Sequence, residues 1–425
     1  MGLRDIGIAD IIRRNAQLFA ERLAFIFAPG NAGPGNDAAQ QVNHRDYLGR
    51  VERLAAGLAA AGIGTGDRVA VISRNNLEFA DLYGATAWLG AILLPVNWRL
   101  NSDEIAYILG DGAPKVVIAD AEEQPRIAAL GGALPSVAGY YGIGGHIPPF
   151  RPFAELAEPD RALPDIAGSP EDGYLIIHTA AVDGKPRGAL LSQANLVAAS
   201  IQMLCYWRLG ETDVGLVALP VFHVAGAGLL LGMQLAGGAS LILPKFEPAS
   251  AVRMIARHNV TVLSEFAPML GNLLDEAAKG GGDLGSLRVV SGLDSPETIA
   301  RFEAACPKAR FWAGYGQSEV SGFTTLSPFR ERPGAAGRGT FLSAVAVVDE
   351  FDQALPANQV GEIVVRGPLV FKGYWRRDDD NALTFRNGWH HTGDMGRFDE
   401  AGYPVQIVSS FLNEMLQPAR GLVTN

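Results

Sequence analysis

Apolar residues follow two alternating spacings along the first part of the chain. Residues 8–19 and 77–89 place apolar side chains at helical intervals, and a helix capped by Asp46 is predicted between them. Short apolar runs typical of buried strands occupy residues 24–27, 69–72, 91–94 and 116–119. This strand–helix alternation predicts an α/β fold with stacked, doubly wound, mostly parallel sheets.

The alternation resumes after a Gly- and Pro-rich segment at 131–170, which we interpret as a surface connection, and continues to about residue 320. Residues 338–376 instead carry short β segments around turn-forming residues, which predicts a small antiparallel or barrel-like β module. We therefore expect one large domain, residues 1–402, and an atypical tail. The predicted subregions of this domain are 1–170, 171–335 and 336–402, and the tail is 403–425.

One uncharged stretch is long enough to cross a bilayer. No Asp, Glu, Lys or Arg occurs between Asp213 and Lys245. Pro220, His223, Gln234 and several glycines divide it, however, which favours a buried strand–helix–strand unit over a membrane span. The predicted elements are 214–219, 225–236 and 239–243.

Composition excludes some classes of function. The 425 residues are 48% hydrophobic and 19% charged, which is typical of a globular protein, and the net charge of −10 argues against a nucleic-acid partner. The two cysteines, Cys205 and Cys306, lack metal-site spacing and favour a cytoplasmic protein with free thiols. The first residues do not resemble a signal peptide. The sequence leaves a homodimeric state open.

A glycine-rich basic loop follows the apolar run 174–177. Gly184 and Gly188 remove side-chain bulk, and Lys185 and Arg187 supply positive charge, so the backbone can approach an anion. We expect a helix at 194–204 after the loop. The spacing is not that of a Walker-type loop, and the residues alone fit either a phosphate site or a basic surface turn.

The segment 178–189 resembles the phosphate-binding signature of the adenylate-forming superfamily, Tyr/Phe-Thr-Ser-Gly-Thr-Thr-Gly-x-Pro-Lys-Gly-Val. This superfamily includes acyl-CoA synthetases, luciferases and amino-acid adenylation domains. The resemblance implies that ATP phosphates contact the residues Thr179, Gly184, Lys185 and Arg187.

The first half of this loop departs from the signature. Ala180, Val182 and Asp183 stand where the family carries phosphate-binding hydroxyl groups. A carboxylate facing polyphosphate costs Coulomb energy unless a metal ion or Lys185 offsets it. The departure implies weakened handling of ATP.

Residues 219–226 resemble the family's Pro-x-Phe-His-x-x-Gly segment beside the acid pocket. The resemblance implies that Phe222 and His223 line this pocket, with Phe266 and Gly314 nearby, and that His223 donates a hydrogen bond or gates access. Phe-His is typical of acyl-CoA synthetases, whereas amino-acid adenylation domains usually carry Phe-Asp. The alternative for His223 is a structural role in the core.

Residues 312–319 resemble the family pattern Tyr-Gly-x-Thr/Ser-Glu. By this resemblance Tyr315 stacks on adenine beside Gly316, Ser318 approaches the α-phosphate and Glu319 binds Mg²⁺, whose preferred ligands are oxygens. The alternative, judged from the residue types alone, is that this segment forms a turn and a helix cap.

Residues 287–294 resemble the turn that borders adenine, where Gly292 matches and Leu293-Asp294 departs. The alternative is a plain strand-to-helix turn capped by Ser295 or Asp294.

Residues 389–394 resemble the family's Thr-Gly-Asp segment, which implies that Asp394 accepts hydrogen bonds from both ribose hydroxyls. The alternative is a Gly-Asp turn between strands. His390 and His391 are adjacent, so in a strand they point to opposite faces and cannot share a metal ion.

The resemblance covers about residues 8–403 and implies an acyl-CoA synthetase. The reaction converts a carboxylic acid, ATP and CoA to acyl-CoA, AMP and pyrophosphate, with Mg²⁺ as cofactor. The implied catalytic residues are Lys185, His223 and Glu319. The small-molecule acid is expected to be apolar or aromatic, because the pocket segments offer no buried charge partner.

The end of the chain does not follow the family pattern. An arginine of the family is expected near Ser409, and residues 403–425 do not match the C-terminal domain that carries a catalytic lysine. Impaired catalysis is therefore expected. Two alternatives stay open: a catalytically degenerate protein that binds an acyl group or nucleotide, and a stand-alone amino-acid adenylation domain.

Overall fold

A computed structural model describes residues 5–28, 39–158, 160–179 and 185–408. Its α-helices are α1 Ile8–Leu18, α2 His44–Ala60, α3 Leu77–Leu89, α4 Ser102–Gly112, α5 Gln124–Ala128, α6 Gln193–Trp207, α7 Val224–Ala236, α8 Pro248–His258, α9 Met269–Glu276, α10 Pro296–Ala305 and α11 Asp378–Thr384.

The strands of the first half are β1 Leu23–Phe27, β2 Gln40–Asn43, β3 Arg68–Ile72, β4 Ile92–Val96, β5 Val116–Asp120, β6 Gly139–Ile143, β7 Arg151–Pro152, β8 Gly173–Thr179, β9 Arg187–Ser192 and β10 Val214–Val217. The later strands are β11 Ala239–Ile242, β12 Val262–Phe266, β13 Val289–Leu293, β14 Arg310–Gln317, β15 Gly322–Pro328, β16 Ala344–Val348, β17 Gly361–Arg366, β18 Gly373–Tyr374, β19 Phe385–Arg386, β20 Trp389–Phe398 and β21 Pro404–Val408.

These strands form three sheets. The first sheet has the order β15-β14-β13-β12-β10-β11-β1-β2, and the second has the order β18-β9-β8-β4-β3-β5-β6-β7. Both are parallel in the middle. The first sheet has an antiparallel strand at each edge, whereas the second is antiparallel only at the β18-β9-β8 edge and ends in the parallel strand β7. The third sheet is antiparallel, with the order β16-β17-β20-β19 and β21 paired to β20. The α/β fold and the small β module expected from the sequence are both confirmed.

Helices cover both faces of the two large sheets. The largest apolar cluster joins α1, α2, α3, α6 and α7 to the facing strands of both sheets, so these helices form a central layer. A second cluster packs α8, α9 and α10 on the outer face of the first sheet, and a third packs α4 and α5 on the second. Burial on both faces explains why the central strands are continuous apolar runs.

Side-chain caps set the starts of several helices. Asn43, Asn76, Asn101 and Ser192 each accept a hydrogen bond from a backbone N–H of the first helical turn. The expected cap at Asp46 is wrong, because Asn43 caps α2 and Asp46 lies in its first turn. The helix therefore begins earlier than apolar spacing alone indicates.

The segment 131–170 is more than a surface connection. Residues 139–143 form β6, which extends the parallel sheet beside β5 and buries Tyr141 and Ile143. β7 adds a further short strand. The many Gly and Pro residues of this segment indicated a loop, but β6 is stabilised by its pairing with β5.

The uncharged stretch after Asp213 folds as predicted into β10, α7 and β11, which are largely buried. Within the part of the chain that the structure describes, no helix combines the length and apolar character needed to cross a bilayer.

Candidate active site

The glycine-rich basic loop joins two antiparallel strands. Thr179 ends β8 and Arg187 begins β9, and the two residues are paired in register. The expected strand–loop–helix order is therefore corrected to a hairpin, after which Ser192 caps α6. Gly184 and the departures at 180, 182 and 183 lie outside the described residues.

Two basic side chains at the described end of this loop lie over aromatic rings. Lys185 Nζ is 5.2 Å from the ring centroid of Tyr107, and Arg187 Cζ is 4.1 Å from that of Tyr374. Arg187 also lies 3.9 Å from the carboxylate of Asp380. The rings therefore contact Lys185 and Arg187, the two basic side chains that the family resemblance assigns to the ATP phosphates.

Tyr374 connects Arg187 to the proposed metal ligand. Its hydroxyl donates a hydrogen bond to Glu319 Oε1 at 2.9 Å, and Thr179 Oγ1 lies 3.4 Å from the same oxygen. Burial raises the pKa of Glu319, although the hydroxyl of Tyr374 and the charge of Arg187 oppose this shift. A hard oxygen donor in this buried position fits Mg²⁺, which would also favour the ionised carboxylate.

A second group of hydrogen bonds surrounds Asp394, which has no exposed surface. Asp394 Oδ2 accepts hydrogen bonds from the hydroxyl of Tyr315 at 2.7 Å and from Gln317 Nε2 at 2.6 Å. Asp394 Oδ1 is buried without a hydrogen-bond partner among the described residues. One oxygen is therefore fixed by the protein, and the other retains its capacity to accept a hydrogen bond.

β14 carries Tyr315 and Gln317 to this position, and the turn at its end carries Ser318 and Glu319, both buried. Burial, together with the nearby charge of Asp394, raises the pKa of Tyr315 well above its ordinary value. Tyr315 is therefore a neutral hydrogen-bond donor. Its expected stacking on adenine stays a prediction.

Glycines in this region permit close approach of neighbouring strands. A Cβ at Gly316 would lie 1.6 Å from Gly322 O, and one at Gly314 would lie 2.4 Å from Thr325 O. A Cβ at Gly292 would lie 1.9 Å from Glu265 O. All three positions therefore have a packing reason for glycine, beside the ligand contacts implied by the resemblance.

The residues assigned to the acid pocket lie on the first sheet and at the start of α7. His223 caps α7, where its Nδ1 accepts the Ala225 N–H at 3.2 Å. Loss of hydration lowers the pKa of His223 to about 4, so the imidazole is neutral at pH 7. Phe222 is buried in the central cluster, and Phe266 is half-buried at the end of β12.

Aromatic side chains are concentrated beside Gly314. A Cβ at Gly314 would lie 2.8 Å from the Phe323 ring, and Phe323 also contacts Trp207. Tyr206 contacts Trp312 and stacks on Phe341, which is 56% exposed. The described region next to the expected acid pocket is thus strongly aromatic.

The structure brings Thr179, Arg187, Ser318 and Glu319 together and places Asp394 against Tyr315. His390 and His391 have different partners, since His390 packs on Phe371 and His391 contacts Glu362. Sequence reasoning missed Tyr374 and Gln317. Gln317 lies inside a recognised motif, whereas Tyr374 gave only a Gly-Tyr-Trp string whose partner is 55 positions away.

Comparisons with known proteins identify the family of the chain. The family model described as AMP-binding enzyme matches residues 12–375. A feruloyl-CoA synthase of Amycolatopsis is 32% identical over 83% of this chain and 70% of that protein. An indoleacetate–CoA ligase of Aromatoleum aromaticum is 29% identical over 87% of this chain and 74% of that protein.

Solved structures support the same assignment. A crystal structure from Rhodopseudomonas palustris, provisionally described as a long-chain-fatty-acid CoA ligase, is 54% identical. It has a TM-score of 0.89 and covers 95% of this chain and 99% of that one. Relatives in the curated set are acyl-CoA ligases that act on different acids. The chain belongs to the family of AMP-binding enzymes.

Proposed function

We propose that this chain activates a carboxylic acid with ATP and transfers the acyl group to CoA. The observation that carries the proposal is the geometry of Asp394, whose Oδ2 is held by Tyr315 and Gln317 while buried Oδ1 has no partner in the described residues. A buried acceptor of this kind suits a ribose hydroxyl. The adjoining group of Arg187, Tyr374 and Glu319 supports binding of the phosphates beside it.

The reaction has two steps. A carboxylate oxygen of the acid attacks the α-phosphorus of ATP, and pyrophosphate leaves with the electrons of the broken P–O bond. The thiol sulfur of CoA then attacks the acyl carbon, loses its proton and displaces AMP. Arg187 and Lys185 are proposed to stabilise negative charge on the phosphates, and Ser318 to contact the α-phosphate.

Mg²⁺ held by Glu319 would neutralise charge on the phosphate oxygens. Tyr374 keeps Glu319 oriented through its hydroxyl and keeps Arg187 beside it through its ring. Because Nδ1 of neutral His223 accepts the Ala225 N–H, its proton is on Nε2, which can donate one hydrogen bond to the acid carboxylate.

We propose an apolar acid with an aromatic ring as the substrate. The aromatic side chains beside Gly314 favour ring contacts, which add to the hydrophobic gain of burial. Relatives named for feruloyl-CoA and indoleacetate also act on aromatic acids. A long-chain fatty acid is the competing substrate, supported by the Rhodopseudomonas structure.

The test is exchange of labelled pyrophosphate into ATP, measured with ferulate, indoleacetate and a long-chain fatty acid. Acid-dependent exchange with an aryl acid supports the proposal, and preference for the fatty acid would reject the aromatic part. In parallel, calorimetry measures AMP binding to Asp394→Asn, which we expect to be weaker by about tenfold or more. Asp165→Asn, an exposed carboxylate elsewhere on the surface, is the matched control. Equal AMP affinity in both variants would place the ribose elsewhere.

A second candidate is a nucleotide-binding protein without ligase activity. It is favoured by Ala180, Val182 and Asp183, which replace hydroxyl groups of the phosphate signature. AMP binding that depends on Asp394, combined with no exchange for any acid, would support this candidate over the ligase.

A further inference from the structure

A hydrogen-bond network joins α4 to the first flank of the 179–188 loop. His178 precedes Thr179 at the end of β8, and its Nε2 lies 3.1 Å from Asp111 Oδ2. The two side chains are only 3% and 8% exposed. An ionised carboxylate only accepts hydrogen bonds, so Nε2 carries the proton that His178 donates. The chain is thereby tied to α4 one residue before the loop.

The same network reaches the second flank of the loop. Tyr107 is one helical turn from Asp111, so both side chains lie on one face of α4. The hydroxyl of Tyr107 donates to Pro186 O at 3.2 Å, and Lys185 Nζ lies over its ring. α4 therefore contacts the chain on both sides of residues 180–184.

A segment after β18 completes the network. Arg377 Nη2 donates to Asp111 Oδ1 at 2.5 Å and to the Tyr107 hydroxyl at 2.9 Å. Trp375 donates its backbone N–H to Gly188 O at 2.7 Å and its indole N–H to Asp111 O at 3.2 Å. Asp111 thus uses both carboxylate oxygens and its backbone oxygen to bind three residues on two separate parts of the chain, the end of β8 and the segment after β18.

The hydrogen bonds to Asp111 favour the ionised form of its carboxyl group. Burial by itself raises the pKa of this carboxyl, but the hydrogen bonds from His178 and Arg377 outweigh it and lower the pKa below the ordinary value. The carboxylate is therefore ionised at neutral pH. Removing its charge would leave buried donors without their acceptor, which costs more than the loss of an exposed ion pair.

We propose that Asp111 is a positioning residue for the terminal phosphates of ATP, acting through His178, Tyr107 and Arg377 on both flanks of the loop. The inference rests on the proposed function, since it assigns the loop to ATP. Asp111 acts on the loop through its neighbours, whereas Asp394 is proposed to contact the nucleotide itself. AMP, which lacks the β- and γ-phosphates, should bind independently of the Asp111 network.

The experiment compares ATP–Mg²⁺ with AMP by calorimetry, using the full chain in four forms. The forms are wild type, Asp111→Asn, Tyr107→Phe and the control Asp103→Asn, which makes the same change at an exposed position of α4. Tyr107→Phe keeps the ring under Lys185 and removes only the hydroxyl, so it protects the test against a folding defect of Asp111→Asn. Thermal melting of each form accompanies the binding measurements.

Asp111→Asn is expected to weaken ATP–Mg²⁺ binding by about tenfold and to leave AMP binding within about twofold of wild type. Tyr107→Phe should shift ATP binding in the same direction by about threefold, and Asp103→Asn should shift neither ligand. Equal losses for ATP and AMP, or a lower melting temperature with unchanged ATP affinity, would reduce Asp111 to a structural role and overturn the inference. Wild type that binds neither nucleotide would reject the proposed function as well.

Discussion

Glu265 on β12 has a buried carboxyl group that the proposed chemistry does not use. It has no exposed surface, and neither carboxyl oxygen has a hydrogen-bond partner among the described residues. Burial, followed by the charge of Asp294, raises its pKa from 4.5 to about 9. We therefore expect Glu265 to be protonated in the native protein at neutral pH.

The sign of the effect on stability follows from proton binding. The native state keeps a proton on Glu265 that the unfolded chain releases above its ordinary pKa of 4.5, so the free energy of unfolding decreases as pH rises toward about 9. One proton corresponds to about 1.4 kcal/mol per pH unit, or about 3 kcal/mol between about pH 6 and about pH 8. Glu265→Gln removes this titration while keeping the shape of the side chain.

The assay is urea unfolding of wild type and Glu265→Gln at these two pH values, followed by tryptophan fluorescence. The gain in stability of Glu265→Gln over wild type should be larger at the higher pH by about 3 kcal/mol. Glu350→Gln, at an exposed position, controls for the change of charge. Parallel pH dependences of wild type and Glu265→Gln would show that Glu265 is ionised when folded and would refute the reasoning.

Two further changes test other parts of the site. Tyr374→Phe removes the hydroxyl bound to Glu319 but keeps the ring beside Arg187. Acid-dependent pyrophosphate exchange should therefore fall by about tenfold, while the melting temperature stays unchanged. An unchanged exchange rate would show that Glu319 does not need the hydrogen bond from Tyr374. Gly316→Ala places a Cβ 1.6 Å from Gly322 O and should lower the melting temperature strongly. Gly339→Ala, whose Cβ would have no non-adjacent neighbour within 4 Å among the described residues, is the control and should leave the melting temperature unchanged. Similar melting temperatures of the two variants would contradict the close strand packing at Gly316.

Most elements were predictable because their signals are local. Apolar periodicity identified α1, α3, β3 and β5 within a few residues, since one turn of helix or a few strand residues already display the pattern. The misplacement of the α2 cap and the omission of β6 have a different origin. Asn43 becomes a cap only through the conformation of the preceding strand, and β6 is held by pairing with β5.

The hairpin at the basic loop shows the limit of local signals. The run from Arg187 to Ser192 is short, and its strand conformation depends on pairing with β8 on one side and β18 on the other. β18 comes about 180 positions later in the chain. No pattern within the run itself indicates that partner.

For the candidate site, too, some features follow from local sequence and others depend on the tertiary structure. Sequence by itself determined the α/β class and named Thr179, Arg187, Ser318, Glu319 and Asp394 as candidates, because each lies in a short motif whose residue types suit phosphate, Mg²⁺ or ribose.

Only the tertiary structure decided how these groups are held. Tyr374 reaches Glu319, and Arg377 reaches Asp111 across 266 positions, because strand pairing folds the segment after β18 back onto the second sheet. The spacing of residues along a chain carries no information on such contacts. They depend on sheet order and register, which the packing of the whole core decides.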